Sequence, residues 1–591
     1  MKIPINKTFY QGQVTQLDSE LNRLKKSLQQ LSFARLAVFC SAILTIYFVG
    51  LNWITAILLV VFLVLFIFLV SRGQDLKDRE VKQAFKRDLN LLELQVLEGD
   101  WSGFSAGDAY KTENHPYERD LDLFGEGSFF QLVNRTVQPE SSDELANVLL
   151  VGTKQRSLSQ SAISSLKKDP KWCQDFLGES KLSMEKGSNT PMSKVVPLMK
   201  PPVLFFKGAE WVMTCCSIIA LCCYLTEAID SGLYLLVVAF MFLIVGFNLK
   251  RVNTVSAYLS SLEGTVNGYQ KKIELIAAFH KEKNEFGEFV NRLTSNAEEV
   301  QSSLSELQAI QKWASFRNNI LVGALLNVFF AWDVRICHRL QKWLETYHLD
   351  WSEKERQFAH IEVWISGAIF WFNFPTYAFA SFHETDELNV EGLTHPFLSP
   401  NKAVKNDLLM KKKERLLIVT GPNMAGKSTF LRSVGLLFVC AEAGFPVAAT
   451  TCELPRRKLF TSMRLTDNLN KETSYFFAEL LRLKEMMVEM EAGKQLFVIV
   501  DEMLKGTNSE DKEQGSIKFL KKINTLNAIG IIATHDLALC TLEKEILGFR
   551  NKFFDSVIEG DQLHFDYRLK DGQCQNMNAQ FLKRNLGLID H

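Results

Sequence analysis

The stretch RLLIVTGPNMAGKSTFL, from Arg415 to Leu431, decides how this chain is read. Leu416 to Val419 form a continuous apolar run, which predicts a short buried strand, and the small residues after it predict a tight turn into a helix near Lys427. Gly421, four intervening residues (Pro422, Asn423, Met424, Ala425), then Gly426, Lys427, Ser428 and Thr429 complete a phosphate-binding loop. Small residues let successive backbone N–H groups turn inward around phosphate oxygens, and the helix start adds unpaired donors and a positive dipole end. In such a loop Lys427 is expected to reach the terminal phosphates of ATP and Ser428 to offer its hydroxyl to Mg2+. Without the strand before it and Lys-Ser-Thr within it, the turn would be an ordinary tight loop.

Further along, Leu496 to Glu502 read LFVIVDE, an apolar run ending in two acids. A parallel strand buried on both faces reads this way, and ligands bind at the C-terminal ends of such strands. Asp501 is placed to serve Mg2+, and Glu502 to orient or deprotonate the water that attacks the terminal phosphate. Ala528 to His535, AIGIIATH, predict another buried strand whose end delivers His535 beside the γ-phosphate. Ser474 to Leu480, SYFFAEL, open a helix after the polar run DNLNKET, so Ser474 or Thr473 can cap it and leave its N-terminus facing an anion.

At 591 residues the chain has length for two to four domains. Charged residues are 23% and the formal net charge is zero, so composition supplies no basic footprint for nucleic acid, and any such binding would need local clusters. Eleven scattered cysteines show no metal-ligand spacing or disulfide framework, which suits a reducing compartment.

The second strong signal is membrane-like. Leu36 to Val70 carry no charged residue, too long for one span and nearly enough for two around a turn at Gly50-Leu51-Asn52. A second pair is predicted at Trp211 to Thr226 and Ser231 to Leu249, with Glu227 and Asp230 in its turn. No small-residue cleavage pattern marks either hairpin as an export signal. Lys and Arg flank both hairpins on all four sides, for example Lys25, Arg72, Lys207 and Arg251, so the flanks and the nucleotide site are expected in the cytoplasm of an inner-membrane protein with four spans.

The expected organisation is an amphipathic helix over 1–33, a transmembrane hairpin over 34–71, a cytoplasmic helical region over 72–200, a second hairpin over 209–249, long helices over 250–385 and a nucleotide domain over 389–591. Leu17, Leu21, Leu24, Leu28 and Leu31 form a heptad-like stripe in the first of these. Val252 to Ile276 repeat the pattern, with a packing partner expected within 295–350. The apolar stretches Ile320 to Ala331 and Val363 to Phe382 read as buried helices of a soluble core. LHFDYRL from Leu563 predicts a strand, followed by a terminal helix.

On its motifs the chain resembles the MutS family of DNA mismatch-repair ATPases. TGPNMAGKST at Thr420–Thr429, DEMLKGTNSED at Asp501–Asp511, ATHDLAL at Ala533–Leu539 and SYFFAEL are similar to the family's nucleotide-binding motifs, and LTHPF at 393–397 is similar to the opening of its ATPase domain. The resemblance implies an α/β P-loop NTPase domain with a mostly helical MutS-like core and lever region, here joined to two transmembrane helical hairpins. It implies that Asn423, Lys427 and Ser428 contact nucleotide or Mg2+, that Asp501 and Glu502 serve Mg2+ and water, and that His535 senses the γ-phosphate. Ser474 would reach a partner subunit's ATP in a homodimer. The mismatch-reading N-terminal domain has no counterpart, Tyr475 replaces the usual Thr, and a hairpin interrupts the core.

Two functions compete. In the first, a membrane-anchored ATPase opens and closes long helices around DNA, with Lys271, Lys272, Lys281 and Lys283 as contacts amid Glu274, Glu282, Glu285 and Glu288. In the second, an envelope ATPase or scaffold acts on a protein or membrane partner without DNA.

Overall fold

The computed structural model describes residues 5–50, 53–112, 114–186, 190–200, 208–279, 284–318, 320–399, 402–464, 475–504, 509–559 and 562–574. Two helices of unusual length open the chain, α1 (Ile5–Val49) and α2 (Trp53–Glu98). They pack against one another, with Gly50 at the reversal in a left-handed conformation (φ 72°) that glycine adopts without strain. The predicted amphipathic helix and first span are therefore one continuous helix. In the leucine stripe Leu17 and Leu21 are buried and Leu24, Leu28 and Leu31 half-buried, whereas the apolar residues from Leu36 to Val70 stand largely exposed. Both helices have the length and composition to cross a bilayer.

Polar groups root this hairpin in the body. Tyr10 and Asn6 bond to Asn373, and Asn373 donates to Glu93, which is paired with Arg135. Phe9 and Tyr10 meet Phe372 edge-on. Asn373 ends α11 (Trp351–Asn373), the buried central helix of the core, so the helix expected over Val363–Phe382 stops at Asn373, just before Pro375, and the run finishes in a turn and a short strand.

α3 (Pro139–Val151) and α4 (Pro170–Glu185) pack on α11, α7 (Glu263–Ala278) reaches it through Tyr269 and Lys272, and α8 (Ala297–Ser315) packs between α7 and α10 (Trp332–Thr346). The stripe from Val252 to Ile276 is not one straight helix. It divides at Leu262 between α6 (Ser231–Ser261) and α7, and its buried face packs on α4 and α8 of the same chain. Lys272, read in sequence as a surface contact for DNA, is fully buried and meets Glu362 at 3.3 Å and Gln138 at 3.2 Å. A Lys–Glu alternation looks solvated, but here position 272 falls on the helix face turned to the core.

The second predicted hairpin is α5 (Ala209–Leu225) with the first half of α6. Its apolar segments are shorter than those of α1 and α2, so two helices among the described residues meet the criterion for a full crossing. The expectation that Ile320–Ala331 is buried fails. This segment is α9 (Ile320–Phe330), packed beside α5 and α6, and it leaves Val322, Leu325 and Phe330 exposed because neighbours cover only one of its sides.

The C-terminal unit is an α/β sandwich. Its main sheet runs β6-β5-β1-β4-β3-β2, with β1 Leu416–Thr420, β2 Lys458–Ser462, β3 Leu496–Asp501, β4 Ile529–Ala533, β5 Phe549–Phe553 and β6 Lys570–Asp571. The first five are parallel and β6 is antiparallel to β5. β1 and β4 are buried at every position, the mark of a parallel strand covered on both faces. α12 (Lys427–Ala443), α13 (Tyr475–Glu491) and α14 (Ser509–Thr525) connect the strands. A second sheet of four strands spans Ser381–His383, Leu388–Leu393, Asn406–Met410 and Thr451–Pro455. Leu563, His564 and Phe565 pair antiparallel with Ile558, Val557 and Ser556 in a small hairpin, and the predicted terminal helix lies outside the described residues.

Candidate functional site

Parallel register brings the ends of β1, β3 and β4 to one edge of the sheet, where such folds bind ligands. Val419 is level with Ala533, and Ala533 with Asp501. Across this edge Thr534 donates its N–H to Val419 at 3.0 Å and Glu502 donates to Ala533 at 2.9 Å. The three loop starts are thus locked together by main-chain bonds.

The loop after β1 has the backbone its residues imply. Gly421 (φ 147°) lies so close to Phe554 that a Cβ would sit 2.6 Å from the Phe554 carbonyl oxygen. Gly426 (φ 98°) and Met424 (φ 67°) also take positive φ. Pro422 and Ala425 are buried beneath the turn, whereas Asn423, Met424, Ser428 and Thr429 form its exposed rim. Lys427 opens α12 and curls back, its ammonium donating to the carbonyls of Gly421 at 2.7 Å and Pro422 at 2.8 Å. Burial pushes the Lys427 ammonium below its ordinary range, and the nearby Asp501 and Glu502 carboxylates pull it back up.

Ser428, next on α12, donates its hydroxyl to Asp501 Oδ2 at 2.6 Å. His535 Nε2 lies 2.9 Å from Glu502 Oε1, and Glu502 itself holds a left-handed backbone (φ 52°). A non-glycine residue in that region costs about 1 kcal/mol or more and re-aims its side chain. The structure therefore brings Lys427, Ser428, Asp501, Glu502 and His535 to one sheet edge. Ser474 and Thr473 lie outside the described residues.

Two groups of residues were missed in sequence. Glu479, within SYFFAEL, is buried and accepts the Leu504 N–H, tying α13 to the turn after the acidic pair. A lone acid on an apolar helix face was its only signal. The second group couples the core to the site. Asp120 accepts the Thr461 hydroxyl at 2.6 Å and the N–H groups of Met463 at 3.0 Å and Arg464 at 2.8 Å. Asp122 holds both Arg464 and Arg432, the latter on α12.

Residues 417–580 match the family model for MutS domain V. The C-terminal domain is a distant homologue of that domain. Over 331 residues the chain is 27% identical to the DNA mismatch repair protein MutS of Thermotoga neapolitana, covering 56% of this chain and 37% of that protein. It is 29% identical over 208 residues to the MutS of Thermotoga maritima, and 31% identical over 197 residues to that of Listeria monocytogenes serotype 4b. These matches cover 35% and 32% of this chain but only 26% and 22% of those relatives. The chain thus spans well under half the length of the curated relatives it matches.

Proposed function

We propose that this chain is an ATP hydrolase with a MutS-type nucleotide domain, tethered to a membrane and working as a conformational switch. The observation that carries the reading is the meeting of Lys427, the Ser428–Asp501 pair and the Glu502–His535 pair at the C-terminal edge of one parallel sheet.

Residues 421–429 bind the phosphates through N–H groups and the Lys427 ammonium. Mg2+ supplies charge neutralisation on the phosphate oxygens when bound. Ser428 and Asp501 are the side chains that would hold it. Among the described residues no three His, Cys, Asp or Glu side chains are grouped so as to hold a metal by themselves, and a Mg2+ that keeps water and phosphate ligands needs only one or two protein groups. Glu502 accepts a proton from the attacking water as its oxygen bonds to the γ-phosphorus and the bond to the β–γ bridging oxygen breaks, giving ADP and phosphate. His535 fixes the Glu502 carboxylate and offers an N–H toward the γ-phosphate.

The hairpin α1/α2, and α5 with α6, anchor the protein, with the ATPase domain on the cytoplasmic side of an inner membrane and Ser474 completing a partner's site in a homodimer. A DNA clamp draws less support than a protein or membrane partner. Lys272 is buried and Lys271 is paired with Glu274 at 2.6 Å, while residues 281 and 283 lie outside the described residues.

The test is ATP turnover by the full chain in lipid nanodiscs. Mg2+-dependent hydrolysis is expected, with Glu502→Gln lowering kcat by about 10²-fold or more at retained ATP affinity. Equal ATP binding and turnover by Lys427→Ala and the parent would falsify the assignment.

A further inference from the structure

We infer that α9 lies flat in one leaflet of a lipid bilayer beside α5 and α6, as a third membrane-contacting element of the helical arm. The inference rests on the membrane reading above and adds a segment that neither length nor composition assigns to a membrane.

The helix is ILVGALLNVFF, with Asn327 its one side chain capable of hydrogen bonding. That side chain turns inward, accepting the Asp333 N–H at 2.9 Å and donating to the Gly323 carbonyl at 3.0 Å. Gly323, Asn327 and Val328 face the body, while Leu325 is 59% exposed and Val322 and Phe330 stand on the same open side. An isolated apolar face of this kind would be unremarked on any protein. Here it belongs to a helix packed beside α5 and α6, which themselves leave Ile219 and Leu236 exposed.

Length and attachment decide the pose. Eleven residues make a helix about 16 Å long, roughly half the hydrocarbon thickness of a bilayer, so α9 cannot cross. Its flanks meet beneath its middle. A Cβ on Gly323 would sit 3.2 Å from the Arg317 carbonyl, Arg317 pairs with Asp333 at 2.7 Å, and Asp333 bonds to Asn327. Both ends are thus held at the level of the protein body, which lays the helix along the surface.

Trp–Arg pairs of the kind that favour the boundary between lipid headgroups and water join α5 and α8 to α10, the helix that follows α9. Trp211 lies under Arg335 at 4.3 Å, Trp313 under Arg339 at 4.7 Å, and Trp313 stacks on Trp332 at 4.8 Å. Tryptophan and arginine with an apolar body and a polar tip favour that boundary. A soluble partner protein would leave these aromatic and cationic groups without a role; a leaflet uses both.

The experiment places p-benzoylphenylalanine at Leu325 in the full chain, reconstituted in phosphatidylcholine/phosphatidylglycerol nanodiscs carrying tail-labelled lipid, and reads lipid adducts after irradiation. Leu63 on α2 is the membrane control and Val488 on α13 the aqueous one, both exposed. An adduct yield at Leu325 comparable to Leu63 and about tenfold above Val488 is expected of a lipid-facing position. Crosslinked dimer in place of lipid adduct would assign the face to a second copy and overturn the inference. Adducts at Leu63 but none at Leu325 would overturn it while leaving the membrane anchor standing, and none at either position would remove both. Phe330→p-benzoylphenylalanine, an aromatic-for-aromatic change on the same side, repeats the reading if the larger group at 325 disturbs folding.

Discussion

Tyr10 donates its hydroxyl to the side-chain oxygen of Asn373 at 2.7 Å, joining the first turns of the N-terminal hairpin to the last turn of the central core helix. Behind it Asn373 donates to Glu93 at 2.7 Å, and Glu93 is paired with Arg135, both nearly inaccessible to water. The hairpin is therefore set into the core through a connected chain of buried polar contacts.

That chain predicts an asymmetric mutational result. Arg135→Met leaves the Glu93 carboxylate buried without its cation and is expected to cost about 3–5 kcal/mol. Glu93→Gln combined with Arg135→Met removes both charges and should recover a large part of that loss. Denaturant unfolding of the three proteins checks it, and an equally unstable double variant would contradict the ion-pair account.

Gly530 predicts a second result. It sits in β4 opposite Val498 of β3, and a Cβ there would lie 1.9 Å from the Val498 carbonyl oxygen. Backbone in a central strand cannot move aside, so Gly530→Ala is expected to destabilise the nucleotide domain by more than about 3 kcal/mol. Gly12→Ala in α1, where nothing lies within 4 Å, is the matched control. There the change removes helix-interior glycine entropy and should stabilise by up to about 1 kcal/mol. Thermal melts of the two variants should move in opposite directions.

The contrast between these glycines also shows what was legible in the sequence. The run Leu416–Thr420, its glycine turn and the acids after Val500 could be read because each is local: buried strand, turn and strand end follow one another along the chain. Lys272 could not, because its partner Glu362 lies far away in sequence and only packing brings them together. Nor could α9, since an apolar helix has the same composition whether core or lipid covers it. Asp120 and Asp122 were invisible for the first of these reasons. Their partners, from Arg432 to Arg464, belong to another domain.

His395 gives a pH prediction. It is buried, and its Nδ1 accepts the Phe397 N–H at 3.2 Å, so the ring is held neutral. Burial, reinforced by Arg432, pushes its pKa down to about 4 from the usual value near 6.5. Between those values the unfolded chain binds the extra proton, so stability rises with pH through this window and falls on acidification. At pH 5 the loss relative to pH 7 is expected to be about 2 kcal/mol. His395→Gln should be less stable at pH 7 but should flatten that part of the profile, as read by unfolding midpoints from pH 4.5 to 7.5. A parallel slope in the variant would show that other groups set it.

Asp120 carries the last prediction. Its carboxylate takes three donors from Thr461, Met463 and Arg464, at the end of β2 and immediately before the stretch that leads to Ser474. Asp122 beside it holds Arg464 and reaches Arg432 on α12, the helix that begins at Lys427. One turn of the core therefore grips both the phosphate-loop helix and the chain running toward the proposed dimer contact. Asp120→Ala removes an acceptor from two main-chain N–H groups and a hydroxyl, and leaves Lys427, Ser428, Asp501 and Glu502 in place. ATP affinity should stay within about threefold, since the phosphate contacts are unchanged, while kcat falls by about tenfold or more because positioning across the domains is lost. Asp120→Asn keeps one acceptor oxygen and should fall between the two. Steady-state turnover beside equilibrium nucleotide binding separates the outcomes: a proportional loss of affinity would place Asp120 in general folding, and unchanged turnover would show that the core does not act on the site through this turn.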